Sequence, residues 1–190
     1  MGELIDRAKR YLAFSKDEKL DLIITIGILS IILYLGKKSE IGFFSCFLVV
    51  ALSILVHVVA QKIAALRIGF KAEYKVWWYG LIGALIFSLI YQGKTWWLII
   101  PGGMSFSLLA GLRLGRFRYG ENYMAMGITG LIGPLSSIVL ATIFKNIELY
   151  ILGTPNTLFH MIFVFNLAYA VCQMLPIPPL DGHYMFYASR

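Results

Sequence analysis

Ile41-Gly42-Phe43-Phe44-Ser45-Cys46-Phe47-Leu48-Val49-Val50-Ala51-Leu52-Ser53-Ile54-Leu55-Val56-His57-Val58-Val59-Ala60-Gln61 is the stretch that decides the fold class. Sixteen residues without a charge precede His57. At about 1.5 Å of rise per residue the run is long enough to cross a hydrocarbon layer of about 30 Å. Lys62 and Arg67 follow it and suit the end of a helix continuing to Leu66, because cations favour helix C-termini. A histidine within such a run faces protein or a water-filled cavity more often than lipid, and its plain alternative role is packing against a neighbouring helix.

The rest of the chain has the same character. It is 59% hydrophobic and 14% charged, against about 25% charged in an average soluble domain. The class is an all-α polytopic membrane protein with about six transmembrane segments. Beside 41–60, the apolar runs are 22–35, 76–91, 96–109, 124–144 and 158–175. Gly93 and Lys94 separate the two middle runs, and Pro101-Gly102-Gly103 interrupts the second. Together 76–109 form either two thin spans or a membrane-inserted hairpin, whose irregular backbone must be satisfied by protein or water. Trp77, Trp78, Trp96 and Trp97 flank these runs and mark membrane surfaces. Gly127, Gly130 and Gly133 step at helical spacing and favour close helix approach, while Pro134 predicts a kink.

Two regions are expected: an amphipathic N-terminal segment, 1–20, and a single membrane-embedded domain, 21–190. In the first, Leu4, Ile5, Ala8, Tyr11 and Leu12 recur at helical spacing, as in a helix lying on a membrane surface. Ser15 followed by Glu18 has the pattern of a capping box. The net charge is +7, with the basic residues spread over short loops, which argues against nucleic acid as a partner and for the lipid bilayer. Loops rich and poor in Lys and Arg alternate along the chain. The positive-inside rule then puts the N-terminus, His57 and Asp181 of a multi-pass cell-membrane protein toward the cytoplasm. Cys46 and Cys172 lie within apolar runs and read as small buried hydrophobes.

Near the C-terminus, Pro176-Ile177-Pro178-Pro179-Leu180-Asp181-Gly182 carries a carboxylate in a proline-broken segment. Burying Asp181 is costly unless a metal or cation compensates it. The alternative is an N-cap for a tail helix.

These two motifs resemble those of the site-2 protease family of intramembrane zinc metalloproteases, in its short form without a PDZ domain. The family's first motif is His-Glu-x-x-His in a membrane helix, and its second is Asn-x-x-Pro-x-Pro-x-Leu-Asp-Gly. The second aligns with Gln173 to Gly182, and further likeness runs through Ala64–Phe70, Pro101-Gly102-Gly103 and Gly133–Ser137. The resemblance covers most of 41–183 and implies a site-2 protease-like core. It implies that His57 and Asp181 correspond to zinc ligands and that Gln173, Pro176 and Pro178 correspond to substrate-holding positions.

The chain departs from the family at three positions. Val58 stands where the general base should be, Gln61 where the second histidine ligand should be, and Gln173 where the second motif has Asn. A catalytic zinc wants three protein ligands and an open position for water. A neutral amide is a poor ligand beside imidazole, and valine moves no proton. Loss of a general base alone costs about 10²–10⁴ in rate.

The leading expectation is a pseudoprotease that does not retain zinc and binds a transmembrane helix or extended peptide of another membrane protein. One alternative is an active zinc endopeptidase with a rearranged site, in which His183 substitutes as a ligand. Another is a small transporter or channel using His57 and Asp181 as a polar pathway. His160, Glu73, Glu121 and Glu148 have no spacing that ties them to the site.

Overall fold

The computed structural model describes residues 13–38, 40–108 and 123–188. The expected surface helix around Leu4–Leu12 lies outside these residues, as do Arg113, Arg116, Arg118 and Glu121.

Helix α1 spans Lys16–Lys37. Ser15 caps it by accepting from the Glu18 N–H at 3.2 Å, so the first half of the expected capping box is formed. The second half is not. The Glu18 carboxylate turns away from the helix start and binds Lys62 and the Tyr74 N–H. Helix α2 spans Phe43–Ile68 and ends on Gly69 at φ +106°, a left-handed stop that suits glycine.

The chain then forms a strand. Phe70-Lys71-Ala72-Glu73-Tyr74-Lys75-Val76 alternates apolar and charged residues, and this is β1, Phe70–Val76. Helix α3, Trp78–Ile90, is short. The chain returns through turns and extended backbone to β2, Gly102–Leu108, which pairs antiparallel with β1, Tyr74 opposite Met104.

Two expectations are corrected here. The fold is mainly helical but not all-α, and of the two alternatives for 76–109 the one with a second helical span fails, since the described residues 96–108 are turns, extended backbone and a strand. Pro101 and Gly102, the latter at φ +142°, stop any helix there, and Met104-Ser105-Phe106-Ser107-Leu108 alternates as a strand does.

Helix α4 covers Tyr123–Asn146 and runs into a π-helical turn, Ile147–Leu152. Helix α5 is Thr157–Gln173 and α6 is Asp181–Ala188. Among the described residues, three helical segments are long and apolar enough to cross a membrane: Lys16–Lys37, Phe43–Ile68 and Tyr123–Leu152. Helices α3 and α5 are apolar but shorter, so the segments that meet the length criterion number three rather than about six.

Helix α4 packs against α2, α5 and α6. Its glycine row makes this possible. A Cβ at Gly127 would strike Ala188, one at Gly130 would press Asp181 O at 3.1 Å, and one at Gly133 would sit 2.5 Å from His57 Nε2. Leu33, Val50, Ile54 and Tyr169 fill the space between helices with essentially no exposure.

The two-stranded sheet joins the bundle through its edges. On the outer edge of β1, Glu18 accepts from the Tyr74 N–H at 3.0 Å and Asp21 from the Val76 N–H at 3.3 Å. On the outer edge of β2, Gly102 and Met104 meet the side chains of Gln173 and Asp181. Backbone groups that would otherwise be unpaired are thus closed by side chains on both sides.

Candidate functional site

His57 and Gln61 lie one turn apart on α2 and face α4, as side chains four residues apart must. Asp181 opens α6 immediately after the proline segment. Gly103 and Gly182 let that segment come close. A Cβ on Gly103 would meet the Pro179 carbonyl, and one on Gly182 the Met174 carbonyl. Asp181 is therefore delivered to α2 by backbone approaches that larger residues would block.

The carboxylate Oδ2 of Asp181 lies 2.8 Å from His57 Nε2, with His57 2% exposed and Asp181 fully buried. Its other oxygen, Oδ1, accepts a longer bond of 3.5 Å from the Met104 N–H. The carboxylate is thus turned to α2 and β2, not to a cap at the start of its own helix. On the far side of the ring, His57 Nδ1 lies 3.0 Å from Ser137 Oγ. The Tyr169 ring covers the imidazole at a centroid distance of 4.8 Å.

Gln61 donates from Nε2 to the Gly130 carbonyl at 3.2 Å, and its Oε1 is buried without a partner. Gln173 donates to Gly102 O at 3.0 Å and to the Tyr169 hydroxyl at 3.1 Å, and its Oε1 is likewise unpartnered. Val58 is fully buried within the apolar core.

Of the residues nominated by the sequence, the structure brings together His57, Asp181, Gln61 and Gln173. Pro176 and Pro178 remain exposed. His183 is not drawn in. Its ring packs on Tyr187 at 4.6 Å and on Tyr184 at 5.6 Å. Among the described residues no three His, Cys, Asp or Glu side chains converge as metal ligands, so the proposed substitution by His183 does not assemble a ligand set.

The donor set does not fit a catalytic zinc. His57 Nε2 and Asp181 Oδ2, 2.8 Å apart, supply two of the three protein donors that a catalytic zinc wants. The position that the resemblance gives to the second ligand holds Gln61, an amide whose donor end is already committed to Gly130, and the position it gives to the base holds Val58.

Ser137, His57 and Asp181 form a hydrogen-bonded chain in the order of a serine-hydrolase triad. Ser137 is fully buried in mid-helix and also lies 3.4 Å from the Gly133 carbonyl. Its hydroxyl has no exposed face from which to attack a carbonyl. It fixes the tilt of the imidazole, as partners behind metal-binding histidines commonly do.

Sequence reasoning missed Ser137, Tyr169 and the Met104 N–H. Ser137 had a signal: it lies four residues after Gly133, on the face already marked by the glycine row.

Outside the membrane-length helices, Tyr74 has its hydroxyl pKa pushed up by burial. Glu73 is held below the ordinary carboxylate range by its hydrogen bond to Lys71. The Glu18–Lys62 ion pair, at 2.6 Å, is buried beside the site, with the Lys62 ammonium 4.0 Å from the Phe14 ring centroid.

A protein of Methanocaldococcus jannaschii named "Putative zinc metalloprotease" is 29% identical to this chain over 173 residues. The match covers 89% of this chain and 83% of that protein. No family model matches the chain. No solved structure matches it either.

Proposed function

We propose that this chain is a multi-pass membrane protein with the frame of a site-2 protease, in which the hydrolytic centre has been replaced by a metal-free His–Asp pair. The observation that carries the reading is the identity of Val58 and Gln61 beside the buried, 2.8 Å-spaced His57 and Asp181, where a hydrolytic zinc centre would need a base and a further ligand. The similarity to a protein named as a zinc metalloprotease supports descent from a zinc-binding frame. A frame that keeps its geometry while losing base and ligand is a binding protein. The proposed ligand is an extended or helical peptide from another membrane protein.

The outer edge of β2 supports the extended form. Gly102 O and the Met104 N–H are the groups an added strand would pair with. Here they are engaged by Gln173 and, at 3.5 Å, by Asp181. An incoming strand would displace these side chains and offer donors to the unpartnered Oε1 of Gln173. The site faces the cytoplasmic side in this reading.

The test is metal content together with cleavage of a transmembrane substrate in liposomes, for the unmodified chain and for Val58→Glu/Gln61→His. The unmodified chain is expected to hold well under one zinc per molecule and to cleave nothing. The double variant is expected to gain metal. Near-equimolar zinc and chelator-sensitive cleavage by the unmodified chain would overturn the proposal.

A further inference from the structure

A second polar centre lies far from Asp181. Along α5, His160 and Gln173 are thirteen residues apart, which is about 20 Å of helix. At the His160 end, α4 passes into the π-helical turn, and Gly153–Thr157 leads into α5. A cavity of about 510 Å³ opens there, lined by Lys145, Glu148, Leu149, Thr154, Thr157 and His160 among others. π-Helical turns are rare and are enriched at functional sites.

The chemistry of the lining selects the sign of the ligand. Glu148 is 5% exposed, and both its oxygens are spent: Oε2 on Lys145 Nζ at 2.9 Å and Oε1 on the Asn156 N–H at 3.1 Å. The charge of Glu148 is already balanced by Lys145. Glu148 anchors the Lys145 ammonium, which has three donors and commits one of them to this bond. The second conformational anchor is the Phe163 ring, 5.8 Å from Nζ. The His160 ring lies exposed at the same mouth. The remaining donors around the cavity, an ammonium, an imidazole and threonine hydroxyls, suit an anion with several oxygens.

The position selects the source. Leu149, Tyr150 and Ile151 of the π turn are 58%, 83% and 75% exposed. They are followed at once by the exposed polar run Gly153-Thr154-Pro155-Asn156-Thr157. An outward apolar turn carrying a tyrosine and giving way to a polar loop is what a membrane–water boundary demands.

We propose that the cavity between the α4 end and the α5 start binds the phosphate headgroup of an anionic lipid, held by Lys145 and His160. The lipid's acyl chains run along the exposed face of the π turn.

The test is native mass spectrometry of the full chain in detergent, titrated with short-chain phosphatidylglycerol. Parallel arms use the matching diacylglycerol and inorganic phosphate. One phosphatidylglycerol is expected to bind, diacylglycerol to bind far more weakly, and millimolar inorganic phosphate to leave the lipid in place. Lys145→Gln/Glu148→Gln is expected to weaken lipid binding about tenfold, the cost of one charge-assisted hydrogen bond. His160→Gln changes an exposed side chain, leaves the fold intact and is expected to weaken binding several-fold. The proposal is overturned if no lipid binds, if both variants bind as tightly as the parent, or if diacylglycerol binds equally well. It is also overturned if inorganic phosphate displaces the lipid, which would make this a free-anion site.

Discussion

Asp181 places its Oδ2 2.8 Å from His57 Nε2 across 124 residues of sequence, and neither side chain reaches solvent. This contact ties the proline segment to the middle of α2. Removing one partner strands the other. Asp181→Ala is expected to destabilise the protein by about 1–3 kcal/mol, the usual cost of leaving a buried hydrogen-bonding group without its partner. Asp181→Asn keeps the shape and one acceptor and should cost less. Thermal unfolding in detergent reads both. Equal stability of Asp181→Ala and the parent would mean that the pair contributes nothing.

Gly133 is the second point of tight approach. An added methyl would lie 2.5 Å from His57 Nε2 and closer still to Gln61. Gly133→Ala should therefore destabilise by about 1–3 kcal/mol through overpacking. Gly83 on α3 has nothing within 4 Å of the equivalent position. Gly83→Ala should be neutral or stabilising by up to about 1 kcal/mol, because alanine is the better helix former. The contrast is measured as two midpoints under identical detergent conditions. A harmless Gly133→Ala would contradict the packing described at the site.

The two lysine–glutamate pairs around β1 should behave differently. Lys62 and Glu18 are buried, whereas Lys71 and Glu73 are largely exposed. Lys62→Met leaves Glu18 unpaired in the interior and is expected to cost about 3–5 kcal/mol. Lys71→Met should cost less than about 1 kcal/mol and be sensitive to salt. Denaturation at low and high ionic strength separates them.

Glu73 also makes a pH prediction. Its folded-state pKa is depressed by the hydrogen bond to Lys71. A depressed carboxylate contributes stability that is fully present above its unfolded pKa and lost as pH falls through the folded value. Exposure keeps the effect to a few tenths of a kcal/mol, about the size of a surface pair. The midpoints of the parent and Lys71→Gln should thus differ slightly at neutral pH and converge in acid, as pH falls below the ordinary carboxylate range. A gap that widens in acid would reverse the assignment.

Much of this was legible from particular residues. Ser15 announced the start of α1, Gly69 the end of α2, and Gly127, Gly130 and Gly133 the face on which α4 packs. The β1–β2 pair was legible in principle, because Phe70–Val76 alternates strictly, but its lysines also fit a basic loop between membrane helices. The partner strand was harder to see. Trp96–Leu109 is apolar enough for a thin span, and only the glycines and the short Met104–Leu108 alternation mark it otherwise.

What the sequence determined by itself was chemistry that needs no neighbours: apolar runs long enough for a bilayer, a histidine and an aspartate in recognisable motifs, and valine and glutamine where a base and a ligand would stand. Tertiary structure decided how the polar groups are used. Whether Asp181 caps its own helix or reaches His57, whether His183 joins them, and whether Gln61 offers its oxygen or its nitrogen depend on backbone approaches at Gly103, Gly133 and Gly182. Buried polar groups must find partners in three dimensions, and their nearest partners here lie 69 to 124 residues away along the chain.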